Sequence, residues 1–167
     1  MIHTEPNWKS YMVETTEAIF TPEQCDIISR LGRSMPPQNA QVGGGKGYDT
    51  KTRISHISWI PFDQPDSIQM YKKLEDVMHK TNRRHFGFEN MAINEQAQYT
   101  EYPEGGFYDW HMDIDLIMKK EPPVRKISMT LVLSNENEFE GGGLELAKPG
   151  NILKPKQGHA IFFASFV

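Results

Sequence analysis

The sequence lacks most of the features that mark secreted, membrane-spanning or nucleic-acid-binding proteins. Cys25 is the single cysteine among 167 residues, so no internal disulfide can form, and a reducing compartment such as the cytoplasm is the expected setting. No apolar run approaches the roughly 20 residues that cross a bilayer, which argues against a membrane partner, and Met1–Tyr11 has no apolar signal core. The formal net charge of −4 argues against nucleic acid as a partner.

The length suits a single domain with its own core, which we expect to cover residues 1–167. Helical patterns come first and short extended segments follow, which predicts a helical lead-in over 1–92 and a β-rich core over 93–167. This order is typical of α+β folds, in which helices cover one face of a largely antiparallel sheet.

Two helices are predicted in the lead-in. Thr21 is the expected N-cap of the first helix, with Gln24 as its capping-box partner and Gly32 as the C-terminal cap. The second helix is expected to follow Pro65-Asp66-Ser67 and to close near His85-Phe86-Gly87. Its predicted apolar face consists of Ile68, Tyr71, Leu74, Val77 and Met78.

Residues 35–50, between the two helices, are rich in Gly and Pro and predict a mobile flap or a flexible connection. No Gly-Lys-Ser/Thr helix start follows the glycines, so they do not form a phosphate loop. Alternation over Ile54–Ile60 predicts a strand. Further strands are predicted at Ile93–Tyr102, Ile127–Leu133, Leu144–Ala147 and Ala160–Val167.

His111 and Asp113 carry the strongest chemical signal. On an extended backbone, residues two apart point to the same face, so one imidazole and one carboxylate can meet a single cation. A neutral imidazole nitrogen and a carboxylate oxygen suit divalent iron. For the tripeptide alone, a surface His beside a solvated Asp is the favoured interpretation. Its setting favours a pocket, because the Pro-Gly-Gly turn of 103–106 and two aromatic residues come directly before it.

In this setting the sequence resembles the iron(II)- and 2-oxoglutarate-dependent dioxygenases, specifically the prolyl 4-hydroxylase-like group. The family pattern Tyr-x-x-Gly-x-x-Tyr-x-x-His-x-Asp is met by Tyr102, Gly105, Tyr108, His111 and Asp113. Segments resembling the family's later strands follow in the family's order, at Arg125–Ser134, Phe139–Leu146 and Pro155–Phe166. Phe20–Cys25 and Arg53–Ser55 resemble its lead-in, so the resemblance spans nearly the whole chain.

The resemblance implies a double-stranded β-helix (a jelly-roll, cupin-like core) buttressed by N-terminal helices. It implies His111 and Asp113 as metal ligands and places Tyr102, Thr130 and Leu144 at 2-oxoglutarate. Fe(II) is then the cofactor and 2-oxoglutarate and O2 are co-substrates, with ascorbate as a further candidate. Decarboxylation of 2-oxoglutarate would be coupled to hydroxylation of a C–H bond in a protein, an amino acid or another small substrate, with a peptidyl or amino-acid substrate favoured.

Several of these residues have simpler explanations that stay open. Tyr102 could be an ordinary sheet aromatic, and Thr130 and Leu144 could be core residues. Trp110 and Arg53 are candidates for substrate contact, with packing and a solvated charge as the respective alternatives.

The resemblance also predicts what the chain does not contain. In the family, a distal His follows the strand represented by Ala160–Val167, and a basic residue that holds 2-oxoglutarate comes later. We therefore expect a domain that is incomplete at its C-terminus and lacks its last strands, with little or no hydroxylase activity of its own. His159 is expected at the start of the last strand rather than at the metal.

Two competing functions share parts of this pattern. A non-catalytic β-helix binding module would keep the scaffold and lose the chemistry, because a fold does not fix a function. A cupin-type metal enzyme of another class, such as an isomerase, would need further His or Glu ligands near the motif, and the sequence shows none there.

Overall fold

The computed structural model of the protein describes residues 10–39, 51–114 and 124–167. Its elements are β1 (Met12–Glu14), α1 (Pro22–Ser34), β2 (Gln38–Asn39), β3 (Arg53–Ile54), β4 (His56–Ile60), α2 (Pro65–Thr81), a π-helical segment (Asn82–Phe86), β5 (Ala97–Glu101), β6 (Phe107–Tyr108), β7 (Ile127–Leu131), β8 (Leu144–Glu145), β9 (Ile152–Leu153) and β10 (Ala160–Ala164). The glycines of the predicted flap, 43, 44, 45 and 47, lie outside the described residues. Neither helix of the described part is long and apolar enough to cross a membrane.

Helix α1 begins where its capping residues predict. Gln24 N donates to Thr21 Oγ1 at 3.3 Å and Thr21 N donates to Gln24 Oε1 at 3.1 Å, which confirms the capping box. The prediction that Gly32 caps the helix is wrong, because α1 continues to Ser34. Gly32 lies inside the helix, where a Cβ would come within 2.2 Å of the Tyr99 ring on β5. The missing side chain lets helix and sheet approach each other.

Helix α2 packs on the same side of the molecule. Tyr71 is buried as predicted, and its hydroxyl donates to the Ile60 carbonyl of β4 at 2.6 Å. The assignment of Ile68 to the apolar face is wrong, because its side chain is largely exposed and Met70 is buried instead. The helical path closes at Gly87, which adopts a left-handed conformation with φ 76° after the π-helical segment.

All strand pairings are antiparallel, within sheets of order β1–β10–β7, β2–β4–β5, β3–β6 and β8–β9. This confirms a mixed fold with antiparallel sheets. The predicted order of helices first and strands afterwards is only partly met, because β1 precedes α1 and β2, β3 and β4 lie between α1 and α2. The five predicted strands are present in shorter form, the first of them divided between β3 and β4. Sequence analysis missed β1, β2, β6 and β9, because strands of two or three residues are too short to show a period.

The sheet β1–β10–β7 has two contrasting faces, because successive side chains on a strand alternate. On the helix face, Ala160 and Phe162 join the large core that includes residues of α1 and α2. On the opposite face, called the inner face below, Ile161 and Phe163 join Leu146 in a smaller cluster. The helical lead-in and the β-rich core therefore share one hydrophobic core on the helix face.

Candidate metal centre

A tight turn positions the motif next to the lead-in. Gly105 has φ +70°, and a Cβ on Gly106 would lie 2.9 Å from the Ile54 carbonyl oxygen, so both positions favour glycine. After the turn, β6 pairs with β3 and places Tyr108 directly opposite Arg53. The turn thus brings the motif onto a strand that lies more than 50 residues earlier in the chain.

Arg53, Tyr108 and His111 form a stack at this point. The Arg53 guanidinium carbon lies 4.3 Å from the centre of the Tyr108 ring, and that ring stacks on the His111 imidazole at 3.6 Å between centres. Arg53 is only 5% exposed, and its Nε donates to Ser55 Oγ at 2.7 Å. The alternative that Arg53 is a solvated charge is therefore wrong. Its side chain supports the ring that lies against His111.

His111 and Asp113 converge. His111 Nε2 lies 3.3 Å from Asp113 Oδ1, and the two side chains are 36% and 23% exposed. Nδ1 of His111 lies 2.8 Å from the Asp109 carbonyl oxygen, which can only accept, so Nδ1 carries the hydrogen. In the neutral imidazole the Nε2 lone pair then faces the carboxylate. Two electron-pair donors that face each other this closely need a cation between them, either a proton or a metal ion.

The pKa values reflect this arrangement. Desolvation acts to lower the pKa of His111, but its hydrogen bonds with the Asp113 carboxylate and the Asp109 carbonyl outweigh that effect, so the pKa lies above its ordinary value. Desolvation likewise acts to raise the pKa of Asp113, and the hydrogen bonds from His111 and Ser128, with the charge of Arg125, lower it overall. The Asp113 carboxyl is therefore already ionised in the pH range in which His111 gains or loses its proton.

Asp113 has supporting groups that sequence analysis did not identify. Arg125 Nη1 lies 3.8 Å from Asp113 Oδ2 and donates to the Asp113 carbonyl oxygen at 3.4 Å, while Nη2 pairs with Glu95. Ser128 contributes to the lowered pKa of Asp113, and Ser128 Oγ lies 3.0 Å from Ser165 Oγ. The available signal was alternation, because Ser128 alternates with apolar residues on β7 and Ser165 directly follows the apolar strand β10.

The geometry fits a divalent metal. Ligand atoms about 2.1 Å from a metal ion and at right angles to each other are about 3.0 Å apart, close to the separation of the two donor atoms here. An imidazole nitrogen with a fixed tautomer and a hydrogen-bonded carboxylate are also the ligand types and outer partners usual at such centres. Within residues 10–39, 51–114 and 124–167, no third His, Cys, Asp or Glu joins them in a metal-binding group.

Comparison with known families identifies the part of the chain that carries this pair. Residues 97–167 match the model described as the 2OG-Fe(II) oxygenase superfamily. This part of the chain is similar to that superfamily. The resemblance inferred from the motif is confirmed, and with it the classification as a 2-oxoglutarate-dependent dioxygenase by resemblance. The superfamily implies Fe(II) as cofactor and 2-oxoglutarate as co-substrate, whereas ascorbate stays a prediction.

Solved structures show how far the fold of this oxygenase domain extends. A viral collagen prolyl hydroxylase from Paramecium Bursaria Chlorella virus-1, in complex with 2-oxoglutarate, superposes with a TM-score of 0.66 and 21% identity over 93% of this chain and 78% of that chain. A prolyl-4-hydroxylase from Pseudomonas putida gives a TM-score of 0.69 and 17% identity over 93% and 80%. These similarities show a shared fold that includes the helical lead-in. No curated protein matches the sequence.

The three residues predicted to bind 2-oxoglutarate have different environments in the structure. Tyr102 is 51% exposed. Partial burial raises the pKa of its phenol, and the nearby Arg53 guanidinium opposes that shift without cancelling it. Thr130 is exposed and lies two residues beyond Ser128 on the inner face of β7, so core packing does not explain it. Leu144 is half-buried and packs in the inner-face cluster with Leu146.

The remaining candidates lie away from the pair. His159 Nδ1 lies 3.0 Å from the Thr15 carbonyl oxygen, at the opposite end of β10 from Ser165. Six residues of strand separate the two positions by about 20 Å, so His159 cannot reach Asp113. His56 is exposed on β4 opposite Glu101. Trp110 is also exposed, which excludes packing as its explanation.

Proposed function

We propose that the chain is an Fe(II)- and 2-oxoglutarate-dependent oxygenase domain with a double-stranded β-helix core, in which His111 and Asp113 are metal ligands. The observation that carries the proposal is the 3.3 Å approach of His111 Nε2 to Asp113 Oδ1, with the hydrogen of the imidazole held on the other nitrogen. The superfamily match over residues 97–167 supports the identity of the metal.

The residues around the pair divide the remaining tasks. When bound, Fe(II) would supply the oxidising chemistry with O2 as the oxidant: one oxygen atom would enter succinate as 2-oxoglutarate loses carbon dioxide, and the other would enter the hydroxylated substrate. We expect Tyr102 and Thr130 to present their hydroxyls to the co-substrate. Leu144 and the inner-face cluster form the apolar wall that limits access of water. Arg53 and Tyr108 hold the His111 ring from behind.

A peptidyl or amino-acid substrate is the favoured class. Support comes from the two solved structures of similar fold, which are a collagen prolyl hydroxylase and a prolyl-4-hydroxylase. Trp110, Met112 and Phe107 are exposed next to the metal pair, where a peptide could cover them. Succinate release with a proline-containing peptide, compared with free proline, tests this choice. A larger rate with free proline would contradict the peptidyl substrate.

The metal centre is tested by titrating the chain with Fe(II) and 2-oxoglutarate without oxygen and following the visible charge-transfer band of the ternary complex. His111→Ala and Asp113→Ala are expected to weaken metal binding by more than the roughly 10–100-fold typical of outer-shell changes. His79→Ala, which removes an exposed helical His paired with Glu75, is the matched control and should bind as the wild type does. Equal metal binding by all three variants would contradict the assignment.

A non-catalytic binding module is the second candidate. It is favoured by one observation, that no third metal-ligating side chain joins the pair among the residues described. The same titration distinguishes the two functions. A chain that binds 2-oxoglutarate without a metal dependence, and that releases no succinate with any substrate, supports the module.

A further inference from the structure

The Arg125 guanidinium lies between two carboxylates that come from distant parts of the chain. Its Nη2 forms an ion pair with Glu95 Oε2, and its Nη1 lies 3.8 Å from Asp113 Oδ2. Glu95 precedes β5, Arg125 precedes β7 and Asp113 follows β6, and these three strands belong to three different sheets. The side chain of Arg125 therefore links segments that are held in place by separate strand pairings.

Asp113 lies in a segment that regular secondary structure does not hold. Strand β6 ends at Tyr108, and Asp113 follows it in a stretch that is neither helix nor strand. Arg125 Nη1 also donates to the Asp113 backbone carbonyl oxygen at 3.4 Å. One guanidinium nitrogen thus contacts both the main chain and the side chain of Asp113, at a place where no strand ladder fixes either of them.

The two carboxylate oxygens of Asp113 face different groups. Oδ1 lies 3.3 Å from His111 Nε2, whereas Oδ2 is the oxygen that lies toward Arg125. A rotation of the side chain that turned Oδ1 away from His111 would also break the contact of Oδ2 with Arg125. Metal-ligating carboxylates are commonly held in this way by an outer partner, which leaves the free oxygen to bind the metal.

The shape of the guanidinium matters here as well as its charge. Its donors have fixed directions in one plane, so anchoring Nη2 on Glu95 also sets the direction of Nη1 toward Asp113. A lysine ammonium has the same charge but a single nitrogen on a flexible stem. Exposed ion pairs contribute little to stability, and the three side chains are 23% to 57% exposed, so stabilising the fold does not explain the arrangement.

We infer that Arg125 is a positioning residue for Asp113 and that Glu95 anchors Arg125, so that the carboxylate presents Oδ1 toward the metal before the metal arrives. As a role toward a metal, this rests on the proposed function. The orientation of Asp113 itself does not, because it is a property of the metal-free chain. The two statements can therefore be tested separately.

The experiment compares Arg125→Lys, Arg125→Gln and Glu95→Gln with Arg33→Lys in the full chain. Arg33 is the matched control, because its Nε pairs with Glu101 Oε1 at 2.7 Å in another exposed ion pair, one that does not include Asp113. In the metal-free protein, three-bond NMR couplings of Asp113 report whether its χ1 angle occupies one rotamer. A Mn(II) titration then reports metal affinity, and urea denaturation reports stability.

We expect a single Asp113 rotamer in the wild type and in Arg33→Lys, and averaged couplings in both Arg125 variants. Glu95→Gln should average the couplings less, because its amide oxygen can still accept from Nη2. Mn(II) affinity should fall about tenfold in Arg125→Lys, at the lower end of the range for outer-shell changes, while the urea midpoint stays that of the wild type. Arg125→Lys keeps the positive charge, so altered repulsion of the metal cannot cause the loss.

A single Asp113 rotamer retained in both Arg125 variants would overturn the inference, whatever the metal affinity. An equal fall in affinity in Arg33→Lys would also overturn it, because the effect would then not depend on a contact with Asp113. If the wild type binds no Mn(II) at its His–Asp pair, the proposed function fails, and the couplings of Asp113 still decide whether Arg125 positions it.

Discussion

The two faces of the sheet β1–β10–β7 are made by the same strands and serve different ends. On the helix face, Phe162 and Ala160 belong to the large hydrophobic core that also contains apolar residues of α1 and α2. On the inner face, the apolar residues Ile161 and Phe163 are followed by Ser165, whose hydroxyl contacts that of Ser128 on β7. The Asp113 carboxylate is the next polar group. A packing face tolerates change in proportion to volume, whereas a polar group on the inner face loses its function when a single partner is removed.

The largest expected effect is a loss of stability from a substitution on the helix face alone. Phe162→Ala removes a fully buried ring from the centre of the large core and should lower the free energy of unfolding by about 3–5 kcal/mol, measured by urea denaturation. Ile152→Ala, at an exposed apolar position of β9, is the control and should change stability little. Metal affinity per folded molecule should stay unchanged in Phe162→Ala. A specific loss of affinity would mean that the two faces are not separable.

A second change tests the contact that joins helix and sheet. Gly32→Ala improves intrinsic helix propensity by about 1 kcal/mol, but its Cβ would collide with the Tyr99 ring at 2.2 Å. We expect the collision to dominate and the free energy of unfolding to fall by about 1–3 kcal/mol. Arg30→Ala, on the exposed side of the same helix, is the control for an alanine that does not face β5 and should change stability little. A stabilised Gly32→Ala would show that the helix moves away from β5 without loss.

The third prediction concerns the inner face only. The pKa of His111 is raised by its contacts with Asp113 and Asp109, so protons compete with a metal at a higher pH than at an ordinary histidine. Below the pKa of His111, metal affinity should fall about tenfold for each pH unit, since one proton is displaced. Asp113, whose pKa is lowered, stays ionised through that range. Titrations at several pH values measure the slope, and a pH-independent affinity would exclude His111 as a ligand.

The smallest expected effect lies far from both faces. Thr21→Ala removes the side chain that accepts from Gln24 N at the start of α1 and should lower the free energy of unfolding by about 1 kcal/mol. Thr21→Ser keeps the acceptor and should restore most of the loss, as read from the urea midpoint. Neither variant should alter metal binding. A larger loss in Thr21→Ser than in Thr21→Ala would show that the cap is not the cause.

Local patterns allowed parts of this structure to be predicted from the sequence. The capping box of α1, the close of the helical path at Gly87 and the strands around the motif depend on residues within one turn or one strand. The convergence of His111 and Asp113 was also a local prediction, made from their spacing of two residues, although in the structure the pair follows β6 and does not lie on a strand.

Groups brought together from distant segments could not be predicted in the same way. Arg53 precedes Tyr108 by 55 residues and reaches it through the pairing of β3 with β6. Ser165 meets Ser128 through the register of β10 with β7. Gly32 has the appearance of a helix end in the sequence, and its role depends on the Tyr99 ring that packs against it. In each case, register and packing decide the contact, and neither is visible in a local pattern.

The metal pair is tested most directly by NMR during a titration of the metal-free chain with Mn(II), which broadens signals near the ion even when binding is weak. The account predicts that the side-chain signals of His111 and Asp113 broaden first, followed by those of Ser128 and Tyr108. Broadening that begins at another group of residues, or that spreads evenly over exposed carboxylates while His111 stays sharp, would contradict it.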